Sequence, residues 1–352
     1  MGLVTIDGSM GEGGGQILRT AVAISAMVGR PVRVINIRAK RQRPGLAHQH
    51  LTAIKAVAEV TGGRLEGAVI GSTEIEFYPG RVRGGEYSFD IGTAGSVTLL
   101  LQALLPVLLL SDSPVTVRVR GGTDVPKAPP IDYFRFVFAH LLSRFGASVE
   151  FRLVRRGHYP RGGGEVVVSV APAKLRAVEL VRAGKVLRVR GLSHCVRLPS
   201  HVAVRQARAA EEAIVKALGL RPQIELEYYE EGRDPHLGPG SGITLWAETE
   251  HSVLGADSLG ERGKPAEKVG AEAASALLED IATGMALDRH ASDMMFVYAV
   301  MAGGTSRLGG SRLTSHAKTV IELLRILVPE AAIEVRGEDD RPFEAVIKGL
   351  GL

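Results

Sequence analysis

The chain has 352 residues, 45% hydrophobic and 23% charged, with a formal net charge of +5. That length supports about two domains with sizeable cores, and the composition is that of a folded chain and excludes disorder. One cysteine, Cys195, excludes an internal disulfide framework and any cysteine-based zinc site. The longest apolar run, 97–110, is broken by Gln102 and Pro106 and falls short of the ~18 residues a span needs, so no membrane association is expected. No basic-then-apolar leader precedes the first strand signal, so the expected location is cytoplasmic. Charge is unevenly placed. Between Glu12 and Glu59 there is no acid, while Arg19, Arg30, Arg33, Arg38, Lys40, Arg41, Arg43 and Lys55 all fall there. A one-sign block of this kind points to a polyanionic partner, a nucleotide or a nucleic acid.

In chain order, a short apolar strand at Leu3 to Ile6 breaks into DGSMGEGGGQILR, Asp7 to Arg19, and enters a helix. Backbone N–H groups at a helix start, with glycines that allow close approach, make an anion site. The pattern is neither GxGxxG nor GxxxxGK[ST], so it promises no named nucleotide fold. Glu12 is the awkward member, because an acid repels phosphate unless a metal lies between them. On these residues alone, a tight strand-to-helix turn with a solvated acid stays equally open.

A degenerate repeat follows. Gly-containing turns enter apolar helices at 13–27, 92–110 and 288–303, and second helices read at 46–62, 130–146 and 314–328. Each second helix runs into a β-branched strand, such as 148–153 or 332–335, so helices should cover sheets in an α/β (α+β) fold. The second helices start near 46, 130 and 314, intervals of about 84 and about 184, so roughly 100 residues are inserted after the second unit. The expected insert is 184–283, with strands at 186–190, 223–229 and 242–247 and helices at 201–218 and 266–281, enough for a small α/β domain. The large domain is then 1–183 together with 284–352.

Several polar residues interrupt these patterns. Gln102 stands in an apolar helix, where a locally bonded core amide is the commoner case. GGTDVPKAPP (Gly121 to Pro130) and HYPRGGGEV (His158 to Val166) are turn-dense loops, each readable as ligand wall or as connector. There is no HExxH and no CxxC, so a dedicated zinc site is not expected. His48 and His50, two apart at a helix start, read as surface residues. His290 and His316 open the two helices of the third unit. The helix dipole there disfavours the imidazolium, leaving a neutral ring near pH 7.

Taken together, GEGGGQILR, IRAKRQRPGLAHQHLTAIKA, GTAGSVTLLLQ, GGTDVPKAPP, YPRGGGEV and LTSHAKT resemble the RNA 3′-terminal phosphate cyclases over nearly the whole chain. The resemblance implies three βαβαββ-type repeats, shared in outline with enolpyruvyl transferases, and a smaller α/β domain inserted between the second and third. It implies ATP as cosubstrate, Mg²⁺ or Mn²⁺, and an RNA with a 3′-phosphate end as partner. The reaction it implies runs through a covalent histidine–AMP and an RNA 3′-pp-5′-A adenylate to a 2′,3′-cyclic phosphodiester.

By motif position His316 would be the nucleophile and Glu12 the metal ligand. Arg19, Arg38 and Arg41 would clamp phosphate, with Gln49 a further contact to it. Gln102, Pro129 and the segment His290, Ala291, Ser292, Asp293 and Met294 would bind the adenylate. His290 stands where an aromatic is common and Met294 where glutamine is common, which leaves strictness for ATP over GTP open. The alternative within the same resemblance is a catalytically inactive cyclase-like RNA-processing or ribosome-assembly factor, which would lack the histidine. Exposed sheet edges at the insert could pair, so a homo-oligomer is allowed and not required.

Overall fold

Three four-stranded sheets share one connectivity in the computed structural model, which describes residues 2–230 and 232–352. The first unit runs β1 (Val4–Asp7), α1 (Gly15–Val28), β2 (Val32–Ile35), α2 (His48–Thr61), β3 (Arg64–Glu66) and β4 (Ile75–Tyr78). Its sheet order is β1-β2-β4-β3, with β1 and β2 parallel and the other pairs antiparallel. The second unit runs β5 (Gly85–Asp90), α3 (Val97–Leu108), β6 (Val115–Gly121), a continuous helix, β7 (Ser148–Arg155) and β8 (Gly164–Ala171). That helix is α4 (Ile131–Tyr133), a π-helical stretch (Phe134–Phe138) and α5 (Ala139–Arg144). The sheet order β5-β6-β8-β7 repeats the first unit's parallel and antiparallel pairings.

The third unit begins before the insert. Its opening strand is β9 (Glu179–Leu180), which pairs parallel with a strand more than a hundred residues later. Between them lie β10 (Val186–Val196), α6 (His201–Leu218), β11 (Gln223–Glu227), β12 (Gly240–Thr249), β13 (Val253–Leu259) and α7 (Ala266–Ala282). The unit resumes with α8 (Arg289–Met301), β14 (Thr305–Gly310), α9 (Ser315–Leu327), β15 (Ala332–Gly337) and β16 (Phe343–Lys348), giving the order β15-β16-β14-β9. The intervening sheet, β11-β10-β12-β13, has a different connectivity.

Local sequence explains these elements. In β6, Val115, Val117 and Val119 are buried while Arg118 and Arg120 face out, the period-two pattern of a half-buried strand. In α9, Ala317, Val320, Ile321, Leu324 and Leu327 form one apolar stripe at helical spacing. Helix α1 packs on both α3 and α9, which come from the other two units, so the three units share a continuous core. The intervening segment has a second core, in which Val189, Ile214, Leu245, Leu254, Val269 and Leu277 meet under α6 and α7. Trp246 of β12 faces the other way and stacks on Phe136 at 4.4 Å. No helix of the described residues is long and apolar enough to cross a membrane.

Candidate active site

The cleft that gathers the candidate side chains has a volume of about 930 Å³ and is walled by α1, α2, α3, α8 and α9. Three helix N-termini open at it, those of α1, α8 and α9, each presenting N–H groups without intrahelical partners. Capping fixes where α8 and α9 begin. Asp288 Oδ1 accepts from the N–H of His290 and of Ala291, and Thr314 Oγ1 accepts from that of Ala317. Helix α1 starts on Gly14 with no side-chain cap.

Glu12 and His316 meet across the cleft mouth. Glu12 Oε1 accepts the Ser315 hydroxyl at 2.6 Å, and His316 Nε2 lies 3.5 Å from Glu12 Oε2. The Ser315 hydroxyl, with the His316 and Arg41 charges, holds the Glu12 carboxyl below its usual range. The acid is therefore ionised at neutral pH. Gln16 Nε2 donates to the His316 carbonyl at 3.3 Å, and Lys40 Nζ donates to the Gly11 carbonyl at 2.9 Å, tying down the glycine loop.

The wall beside this pair is cationic. Arg19 is 7% exposed, and no carboxylate among the described residues lies within ion-pair distance of it. Burial alone pushes its guanidinium down to about 10. Arg38, held at φ +55° and donating to the Gly45 carbonyl at 2.7 Å, is lowered by burial and by the neighbouring Arg41. A buried cation without a counter-ion is costly unless an anion joins it.

His50 belongs to this wall and not to the surface, correcting the sequence expectation. It is 5% exposed, and burial followed by the Arg19 and Arg38 charges pushes its ring down to about 3, so it stays neutral. A side chain at position 15 would put its Cβ 2.1 Å from His50 Nε2, so Gly15 is what lets the ring lie against α1. Gln49 spends its Oε1 on the Ser96 N–H at 3.2 Å while lining the cleft.

At the far end, Gln102 Nε2 donates to Met294 Sδ at 3.1 Å, bridging α3 and α8. Pro129 is positioned by its carbonyl, which accepts the Thr98 hydroxyl at 2.7 Å. Asp293 accepts the Thr314 hydroxyl, and burial pushes its carboxyl up to about 6 against that bond. His290 departs from the expected neutral ring. Burial disfavours its imidazolium, but Asp257 of β13, 3.4 Å away, with Asp288 and Asp293 behind it, overrides this and raises the ring to about 9.

Eleven of the thirteen residues singled out from the sequence line this one cleft. Ala291 and Ser292 do not; both are buried in the core, and the Ser292 hydroxyl donates back to the Asp288 carbonyl at 2.7 Å. Sequence reasoning missed Asp257, Asp288 and Tyr133. The Tyr133 hydroxyl and the Gly255 N–H both donate to Asp288, each at 2.8 Å, so one carboxylate ties the second unit and β13 to α8. Tyr133 also meets His290 edge-on at 5.3 Å.

A cleft with a carboxylate and a half-exposed histidine at its mouth, and a buried arginine that no described carboxylate pairs, has the charge to receive phosphate groups. The family model for RNA 3′-terminal phosphate cyclase matches residues 10–332. A protein of Hyperthermus butylicus named RNA 3′-terminal phosphate cyclase is 59% identical over 99% of this chain and 98% of its own length. One of Ignicoccus hospitalis with the same name is 56% identical over 99% of both. A solved enolpyruvyl transferase, NikO of Streptomyces tendae, is 13% identical with a TM-score of 0.44, over 100% of this chain and 49% of that one. The chain belongs to the RNA 3′-terminal phosphate cyclase family, a family of enzymes.

Proposed function

We propose that this chain converts an RNA 3′-terminal phosphate to a 2′,3′-cyclic phosphodiester at the expense of ATP, with His316 as the nucleophile. The observation that carries this reading is the meeting of His316 Nε2 and Glu12 at 3.5 Å in the cleft that holds the buried Arg19. In the first step an imidazole nitrogen attacks the α-phosphorus of ATP, a P–N bond forms, and pyrophosphate leaves. In the second an oxygen of the RNA 3′-phosphate attacks that phosphorus, the P–N bond breaks, and the 3′-pp-5′ adenylate forms. In the third the adjacent 2′-hydroxyl loses its proton, attacks the 3′-phosphorus and expels AMP.

Each group has a physical task. The 49% exposure of the His316 side chain leaves the ring accessible to a nucleotide. Arg19, Arg38 and Arg41 offset charge that builds on the phosphoryl oxygens, and their fixed positions cost no reorganisation when it does. Glu12, ionised and reaching into the cleft, fits a hard divalent cation held by one carboxylate plus phosphate oxygens and water. When bound, Mg²⁺ or Mn²⁺ would neutralise phosphate charge there. Gln102, Pro129, Met294, Asp293 and the His290 ring form the end of the cleft suited to a nucleoside. We assign 1–183 and 284–352 to the domain that carries this chemistry and 184–283 to an insert with its own core.

The test is incubation of the protein with α-labelled ATP and Mg²⁺ or Mn²⁺, followed by denaturing electrophoresis. Acid-labile label on the chain, chased off by RNA bearing a 3′-phosphate, is the expected result. A folded protein that takes up no label under either metal overturns the mechanism.

A further inference from the structure

Away from the cleft, where the second sheet meets the insert, two histidines and an acid turn their ligand atoms to one point. Asp124 lies in the loop after β6, His158 in the turn between β7 and β8, and His194 on β10. All three are buried, at 1%, 6% and 1% exposure. His158 Nε2 stands 3.0 Å from His194 Nε2, and His194 Nε2 stands 3.9 Å from Asp124 Oδ1; one ligand atom from each lies within 4.8 Å of the others. We propose that Asp124, His158 and His194 bind a tetrahedral divalent transition ion, Zn²⁺ by preference, that staples the insert to the second unit.

Three observations support this. The first is the direction of the rings. In a hydrogen-bonded relay each imidazole uses its two nitrogens on two different partners. Here the two rings turn Nε2 on each other, with Asp124 beside His194 Nε2, and neither Nδ1 has a partner among the described residues. The second is spacing. With metal bonds near 2.0–2.2 Å, two donors on a tetrahedral ion sit roughly 3.3 Å apart, and 3.0 and 3.9 Å bracket that value. The third is charge. The Arg156 guanidinium is fully buried and serves three carboxylates, Asp124 at 3.3 Å, Asp132 at 2.7 Å and Glu227 at 2.6 Å. Arg135 on the rim adds a second cation at 2.7 Å from Asp132, which leaves one negative charge in excess.

The donor set of two imidazoles and one carboxylate suits Zn²⁺ or Co²⁺ better than Mg²⁺ or Ca²⁺, which want oxygen cages. It differs in kind from the single carboxylate of Glu12. The consequence is mechanical. The loop that carries Asp124 also carries Pro129 into the cleft, and Thr123 holds its start through the Gly157 N–H at 2.9 Å. An ion at Asp124 would therefore fix the insert and one wall of the nucleoside end together.

The test uses the full chain stripped of metal by chelator, reloaded with Zn²⁺ or Co²⁺ without ATP or RNA, and dialysed. About one equivalent retained by mass spectrometric metal analysis, with the visible absorption of four-coordinate Co²⁺, is expected. Zn²⁺ should raise the melting temperature, and Glu12→Gln should leave all three readouts unchanged. His158→Gln and His194→Gln should each weaken retention at least about tenfold, because losing even a hydrogen-bond partner of a ligand costs about 10–100-fold. Wild-type protein that retains no stoichiometric metal and shows no thermal shift overturns the proposal. So does a cooperatively melting His194→Gln that keeps the wild-type metal content. If neither variant folds, the wild-type metal content and Co²⁺ spectrum decide.

Discussion

His316 Nε2 lies 3.5 Å from Glu12 Oε2, so the first and third units meet at the mouth of the cleft through one ion-pair-capable contact. His316→Ala is expected to remove covalent labelling, a loss of at least ~10³-fold in turnover for a missing nucleophile. Glu12→Gln keeps a partner for Ser315 but loses the charge, and a fall of about 10²-fold is expected. Single-turnover labelling measures both. Wild-type rates in Glu12→Gln would remove the acid from the chemistry.

Arg19 gives a prediction of opposite sign for stability and binding. Its drop from 12.5 to about 10 corresponds to on the order of 3 kcal/mol of burial cost. A base whose folded value is depressed opposes folding at every pH below that value, so the cost is fully present at neutral pH. Arg19→Met should melt a few degrees higher than wild type, while added pyrophosphate should stabilise it far less. A lower melting temperature would show that Arg19 is satisfied inside the protein.

The His290–Asp257 pair should appear in pH dependence. His290 is raised from 6.5 to about 9, so the stability it contributes is complete below pH 6.5 and is lost as pH rises through about 9. Asp257→Asn removes the largest favourable partner and leaves burial to act, so the ring should become neutral near pH 7. Nitrogen NMR of the ring in both proteins reports this directly. An unchanged titration would exclude Asp257 as the cause.

Asp288 satisfies four donors with one carboxylate: two helix N–H groups, the Tyr133 hydroxyl and the Gly255 N–H. Asp288→Ala strands buried donors as well as a cap, and a loss of at least ~2 kcal/mol is expected. Tyr133→Phe removes one bond only and should cost about 1 kcal/mol. Denaturant unfolding of the two variants orders them. A Tyr133→Phe loss as large as that of Asp288→Ala would assign the junction's strength to the tyrosine.

Elements with a strong local period were legible in the sequence, as α6 at 201–218 and the second helix of each unit were. So were loops whose composition has few other uses, such as the glycine run around Glu12. Other features had no local signal. Strand β9 is two residues long and exists because β14 pairs with it across the insert. Strand β13, which brings Asp257 to His290, contains Gly255 and lacks a clean alternation, and it was missed. His50 read as exposed from its spacing to His48, but the bare backbone at Gly15 buried it.

By itself the sequence determined the three helix-bearing units and marked Glu12, Arg19 and His316 as candidates for one site, because periodicity, glycine placement and residue type act within a few neighbours. The tertiary structure alone decided which charges are felt. It left Arg19 without a counter-ion among the described residues and His50 neutral, raised His290, and set Asp124, His158 and His194 around one point. Those outcomes depend on desolvation and on distances between segments far apart in the chain, and neither can be read along it.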